Sequence, residues 1–410
     1  MRVPLRWVAL LVFVLSSVLN YLDRQILATM VDIWRSRPEF PFSYSDYGLL
    51  LSVFSIAYAV SAPFMGWFLD RAGLNRGISV SVATWAVASA GTGLSHGTTE
   101  LLFWRAILGV AEAAGISAVG KVIGMYLMNE ERALGNATSQ LGISVGLAIA
   151  PRFTVLFAYE YSWRWTFFAA AILSLLWIPL WLATSRLIPP SADYRGPSPG
   201  VHSESLLRDP QLWALVIANG LSMTIYSLWT NWSPTYLVQL GLKPQQAANY
   251  SWIIPLCGYA GGFIGGSLSW RFIRQGQDPV QARKRVCYWA AIACLATAVI
   301  PFFHSPAMAT AGMSFSFFSV AAWSTNLYTL PVDIYGAARA GFAVSGLVCA
   351  FGVMQATVSK PLGFMIEHYG FMPVCLLFAG LPLIAYAIIR NVRAAGAVSY
   401  ASAKPSTNND

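Results

Sequence analysis

"RLIPPSADYRGPSPGVHSESLLRDPQ", Arg186 to Gln211, is the only long polar stretch inside a chain of 410 residues. Rich in Pro, Ser, Gly and charge, it reads as a linker. On either side lie apolar runs of about 20 residues, each long enough to cross a hydrocarbon core as a helix. They fall near 7–31, 47–69, 77–95, 101–127, 133–157 and 165–185, and then near 211–239, 247–270, 286–303, 308–331, 341–366 and 370–390. The expected fold is an all-α membrane protein with twelve transmembrane helices in two six-helix, pseudo-symmetric bundles. Its parts are an N-terminal bundle over 1–185, a linker over 186–210, a C-terminal bundle over 211–393 and a polar, disordered tail over 394–410.

Composition agrees. Charged residues make up 10% of the chain and hydrophobic ones 56%, against about a quarter charged in a soluble domain. The mean hydropathy is +0.56. The first apolar run is long and leads straight into a charged motif, so it reads as a retained helix, not a cleaved signal. The net charge of +9 does not point to nucleic acid, because the basic residues are spread over short loops. All five cysteines fall in apolar runs of the second half with no CxxC spacing, which reads as buried thiols. The four histidines lie in predicted loops, so no metal or other cofactor is expected. No nucleophile–base pair appears in the apolar segments, which argues against a membrane enzyme.

Basic loops set the orientation. Arg2, Arg6, Arg71, Arg76, Arg132, the linker arginines, Arg271, Arg274, Arg283, Lys284, Arg285, Arg339, Arg390 and Arg393 fall on one side. That side is expected to be cytoplasmic, with both termini on it, in a multi-pass protein of the cell's inner membrane. The halves also echo each other. "GWFLDRAGLNRG", Gly66 to Gly77, follows the second helix, and "GGSLSWRFIRQG", Gly265 to Gly276, follows the eighth. A doubled six-helix unit with a cytoplasmic linker is what a rocking two-domain transporter requires.

The loop "GWFLDRAGLNRG" resembles the signature of the major facilitator superfamily. "NYLDRQ" (20–25), "RAILGVAEAAG" (105–115) and "NEERALGNATSQLGISVGLAIAP" (129–151) are similar to the anion:cation symporter family within it. "SWRWTFF" and "QARKRV" fit the same family. The resemblance covers almost the whole chain. It implies a carrier of organic anions; the family includes bacterial hexuronate and galactonate permeases, sialin and vesicular glutamate transporters. Three departures stand out. Arg152 follows Pro151 where the family has a second proline. Trp270 stands where an acid is usual. "GISAVGK" (115–121) lacks the bulkier aromatic and proline of sugar-acid permeases.

Within the apolar runs only two carboxylates lie near the membrane middle, Asp23 and Glu112. A charge there costs roughly 2.5–3.5 kcal/mol even on lenient scales. Such groups persist in pairs or along a wet pathway. Arg105 and Glu112 are seven residues apart, so they share a helix face about 10 Å apart. Arg24 is expected to grip a substrate carboxylate, because guanidinium stays charged and binds carboxylate with two prongs. Asp23 and Glu112 are the expected proton sites, with Arg105 as switchable partner of Glu112; the resemblance implies the same roles. The plainer alternative is two structural ion pairs joining the first and fourth helices.

Further candidates for the pocket are Tyr21, Tyr58, Lys121, Gln140, Ser144, Trp323, Asn326 and Ser345. Amides and hydroxyls suit sugar hydroxyls, and aromatic faces suit pyranose CH groups. The resemblance singles out Tyr21, Gln140, Trp323 and Ser345. Lys121 equally fits a snorkelling role. Asp70, Arg71, Arg76, Glu130 and Glu131 are expected to form a cytoplasmic gate: Asp70 against a helix N-terminus, the arginines against the acids. The reading as a whole is a monomeric, proton-coupled symporter of a small anionic carboxylate, embedded in lipid, carrying a hexuronate or aldonate. The alternatives are an anion exchanger or exporter that protons do not drive, or a receptor on a transporter scaffold.

Overall fold

The computed structural model describes residues 5–37, 41–128, 131–189 and 204–393. Residues 190–203, most of the expected linker, and the 394–410 tail lie outside them, as does Glu130. Among the described residues the regular structure is entirely helical. The elements of the first set are α1 (Leu5–Arg35), α2 (Tyr44–Ala72), α3 (Leu74–Leu94), α4 (Thr98–Glu112), α5 (Ala114–Tyr126), α6 (Arg132–Phe157) and α7 (Trp163–Leu187). The second set comprises α8 (Pro210–Gln239), α9 (Pro244–Ser251), α10 (Ile253–Arg274), α11 (Pro279–Cys294), α12 (Pro306–Tyr335), α13 (Ala337–Tyr369) and α14 (Met372–Ile389).

Helix is the form in which a membrane segment satisfies its own backbone, and the apolar runs take it. By length and composition, nine helices of the described residues qualify to cross a membrane. Local signals set the ends. Ser43 and Asp46 form a reciprocal capping box that starts α2. Proline occupies the first turn of α8, α11, α12 and α14, where its missing N–H costs nothing. Two predicted helices are broken: α4 gives way to α5 at Ala113, directly after Glu112, and α9 to α10 at Trp252. The ninth apolar run ends as a 3-10 turn over Leu295–Phe302. Most helices run a few residues past their apolar stretches, because capped and charged end turns continue the hydrogen bonding that hydropathy alone does not register.

Within the first set α1 packs on α6 and α7, and α2 on α4; within the second, α10 and α11 pack on α12 and α14 on α8. The "GYAGGFIGGS" segment gives α10 its close approach: a Cβ at Gly261 or Gly265 would collide with Phe318 or Ala322 of α12. Between the sets, α2 lies along α13, α1 meets α8 and α6 meets α10.

The apolar cores are arranged unevenly. One cluster joins both sets at the C-terminal end of α1, running from Leu22 and Trp34 through Trp232 and Tyr236 to Phe378. A second cluster, from Ala9 to Ile188, is drawn from the first set. A third, including Leu215, Trp323 and Ile389, is drawn from the second. The two sets are therefore fused at one end and separately packed toward the other.

Candidate functional site

Asp23, Arg24, Arg105 and Glu112 come together where α1 meets α4. Asp23, Arg105 and Glu112 are buried, at 1%, 3% and 1% exposure, whereas the Arg24 side chain keeps 21%. Arg24 Nε donates to Glu112 Oε2 at 2.5 Å. The Arg24 guanidinium carbon also lies 4.9 Å from the ring centre of Tyr21 and 4.8 Å from those of Phe54 and Tyr58. Each such contact is worth about 0.5–1 kcal/mol, and more where water is excluded. The rings surround a guanidinium that remains partly exposed.

Arg105 does not hold Glu112, as the helix spacing suggested. Its Nη2 donates to the carbonyl of Arg24 at 3.1 Å, and its guanidinium stacks on Phe54 at 5.2 Å. The seven-residue spacing puts Arg105 and Glu112 on one face of α4, but the Glu112 carboxylate pairs with Arg24 of α1 instead. At Asp23, Ser89 of α3 donates to Oδ1 at 3.0 Å. Asp23 Oδ2, Glu112 Oε1 and Arg105 Nε are buried without a hydrogen-bond partner. Native buried polar groups are seldom left so, and unpaired carboxylate oxygens are sites where a proton or a ligand gains most.

Close backbone contacts hold this cluster. A Cβ at Gly109 would sit 2.6 Å from the Phe54 carbonyl, so α4 lies directly on α2 one turn before Glu112. Gly146 likewise lets α6 lie against Val18 and Tyr21 of α1.

The other expected residues fare differently. Tyr21 and Tyr58 are both in the cage. Gln140 is exposed and Ser144 buried on α6. Ser345 is exposed, with its hydroxyl turned to the Gly341 carbonyl. Trp323 and Asn326 are both 0% exposed within the second set; Asn326 Nδ2 donates to the Ala322 carbonyl, while Trp323 Nε1 and Asn326 Oδ1 are buried without a partner. Lys121 reaches Asp70 of α2 as an ion pair, so Asp70 meets a cation where a helix N-terminus was expected. Glu131 binds Arg6 at 2.8 Å and Trp7 at 3.3 Å, not Arg71 or Arg76. Arg71 stacks on Trp67 at 5.9 Å. Arg76 lines a cavity of about 300 Å³ with Asn75, Met125 and Tyr126.

Sequence reading missed the contacts that join the two sets. Gln25 Nε2 donates to the Thr230 carbonyl, and Tyr47 Oη to the Asn231 carbonyl at 2.9 Å. Buried Asp32 accepts from Tyr44 at 3.1 Å and from Thr235 at 2.9 Å. Arg35 pairs with Glu367 at 2.8 Å. The contacts from α1 all lie at or beyond Gln25, toward its C-terminal end, and Tyr44 and Tyr47 stand in the first turn of α2. The only sequence signal was Asp32 itself, an acid at the end of an apolar run. Arg152, on the same end, stacks on Trp252 across the boundary at 5.0 Å, which gives the odd charge a packing role.

The family model described as Major Facilitator Superfamily matches residues 13–359, and the chain belongs to that superfamily. It is a multi-pass membrane transporter, not an enzyme. It is 26% identical to the hexuronate transporter of Escherichia coli K12, over 95% of this chain and 94% of that one. The galacturonate transporter of Dickeya chrysanthemi is 24% identical over 75% of this chain and 94% of its own. Among solved structures, a bacterial homologue of the human lysosomal transporter Spinster, inward-facing and occupied, superposes with a TM-score of 0.71 at 18% identity, covering 95% of both chains.

Proposed function

We propose that the protein is a monomeric, proton-coupled importer of a sugar acid, a hexuronate or aldonate, working by alternating access in the inner membrane. Residues 1–185 and 211–393 are the two rocking bundles, of six crossings each, with the linker over 186–210 and both termini in the cytoplasm. The C-terminal end of α1 then faces outward. The fused core and the Asp32, Arg35 and Gln25 contacts close that side, so the described state opens to the cytoplasm. The substrate class is supported by the named cargo of the relatives above.

The observation that carries the reading is the bond between a partly exposed Arg24 and a buried Glu112 inside an aromatic cage. A substrate carboxylate and the Glu112 carboxylate compete for one guanidinium. When Glu112 takes a proton, Arg24 is freed for substrate; when Glu112 loses it, Arg24 returns to Glu112 and substrate leaves. Asp23, with one unpaired oxygen beside the same helix turn, is the second proton site. Arg105 is a positioning residue that fixes the α1 backbone at Arg24.

Uptake of radiolabelled D-glucuronate and D-galactonate by proteoliposomes tests this. An inward proton gradient should drive accumulation. Glu112→Gln should lose that response while keeping counterflow exchange. Exchange in the wild type with no gradient-driven accumulation would assign an exchanger instead.

A further inference from the structure

Helices α1 and α8 run side by side, and two bonds fix their register. Gln25 meets Thr230, and Asp32 meets Thr235. Tyr226 lies one turn before Thr230, as Tyr21 lies one turn before Gln25. One turn of helix is about 5.4 Å, so Tyr226 stands level with Tyr21 on the α8 face that looks at α1. Both lie within electrostatic reach of each other, and Tyr226 also of Arg24 and of Tyr328 of α12. Tyr328 is in turn within reach of Tyr21.

These phenols differ from the aromatic residues around them. Trp229 and Trp323, on the same two helices, are sealed at 1% and 0% exposure. Tyr226 and Tyr328 each keep accessible surface, as do Tyr21 and Tyr58. Each is also held in place. The Tyr226 ring packs on Phe317 at 4.8 Å and on Phe351 at 6.1 Å. Tyr328 Oη accepts from Asn219 Nδ2 at 3.2 Å, while the same amide donates to the Leu347 carbonyl at 2.7 Å. Because Asn219 donates into that bond, the Tyr328 hydroxyl keeps its own proton to offer elsewhere. The Thr230 side chain lies within hydrogen-bonding reach of the Tyr226 hydroxyl.

We infer that Tyr226 and Tyr328 are specificity-determining residues that read the hydroxyl-bearing chain of the substrate, opposite the carboxylate grip of Arg24. The inference rests on the sugar-acid reading above and extends it to the second set of helices. A bare carboxylate needs only Arg24. A polyhydroxylated chain leaving Arg24 meets phenols, each of which donates and accepts a hydrogen bond and offers an apolar face to CH groups. The second set would then close on the substrate through its hydroxyls, so that short acids bind without engaging both bundles.

The test compares D-galactonate with D-glycerate, which keeps the carboxylate and its neighbouring hydroxyl and lacks the far end of the chain. Both are measured in counterflow with the wild type, Tyr226→Phe and Tyr328→Phe, which preserve the packed rings. The KM for D-galactonate should rise about tenfold in each variant, as expected for one lost hydrogen bond, with inhibition by D-glycerate unchanged. An unaltered ratio of the two acids in both variants would overturn the inference, as would equal weakening of both. If the wild type carries D-galactonate while that ratio stays fixed, the specificity inference alone fails. If the wild type carries no sugar acid, the functional reading fails first.

Discussion

Arg24 Nε sits 2.5 Å from Glu112 Oε2, so the one partly exposed cation of the cluster is engaged by a buried acid. A group that binds an internal carboxylate in one state is available to an external carboxylate in another. The aromatic cage makes this depend on guanidinium and not only on positive charge. Arg24→Lys should therefore lower counterflow of D-galactonate at least tenfold. An ammonium cannot stack flat on Tyr21, Phe54 and Tyr58 while giving two prongs to a carboxylate. Counterflow with purified protein, alongside a melting curve to confirm folding, checks this.

The outward seal contains contacts of unequal worth. Asp32 is buried and accepts two hydrogen bonds, and a bond to a charged group contributes about 1.5–3 kcal/mol. Arg35 and Glu367 are 32% and 24% exposed, and a pair so accessible contributes no more than about 1 kcal/mol. Thr235→Val should thus open the seal more than Glu367→Gln does. Hydrogen exchange over residues 229–236 in nanodiscs should show faster exchange in the first variant and a smaller change in the second.

The seal also needs one bare backbone contact. A Cβ at Gly363 would collide with the Tyr44 carbonyl, where α13 crosses the start of α2. Gly363→Leu should hold the outward side open. External binding of labelled D-galactonate should persist while counterflow falls to background.

At the opposite end, burial alone would raise the Glu131 carboxyl, but the Met128 amide, the Trp7 indole and the Arg6 guanidinium outweigh it and hold the carboxyl below its usual range. A depressed carboxyl contributes stability above its unfolded value and loses it as pH falls through the folded one. Melting of the wild type should exceed that of Glu131→Gln above about pH 5, and the two should converge near about pH 3. A gap that widens on acidification would contradict this.

Much of this arrangement was legible before any coordinates. Asp23, Arg24, Arg105 and Glu112 stood out because charge in an apolar helix is costly, and the helices followed from the length of the apolar runs. Pairing was less legible. The spacing of Arg105 and Glu112 describes one helix, and says nothing of Arg24 arriving from another. Trp323 and Asn326 carry chemistry that suits a sugar, and α12 packs on both α10 and α11, so how accessible each of its faces is cannot be read from that helix alone. The seal was illegible for a simpler reason: Gln25 and Thr230, or Asp32 and Thr235, lie about 200 residues apart, and hydropathy carries no information about such partners. Phe54, the third wall of the cage, was available from its four-residue spacing to Tyr58.

The central claim is that substrate takes Arg24 from Glu112 as Glu112 takes a proton. Calorimetric titration of D-galactonate into purified protein, repeated in buffers of different ionisation enthalpy, measures protons taken up on binding. Wild type should take up at least one proton for each substrate bound near neutral pH, and Glu112→Gln about one fewer. Binding by the wild type without proton uptake would contradict the account.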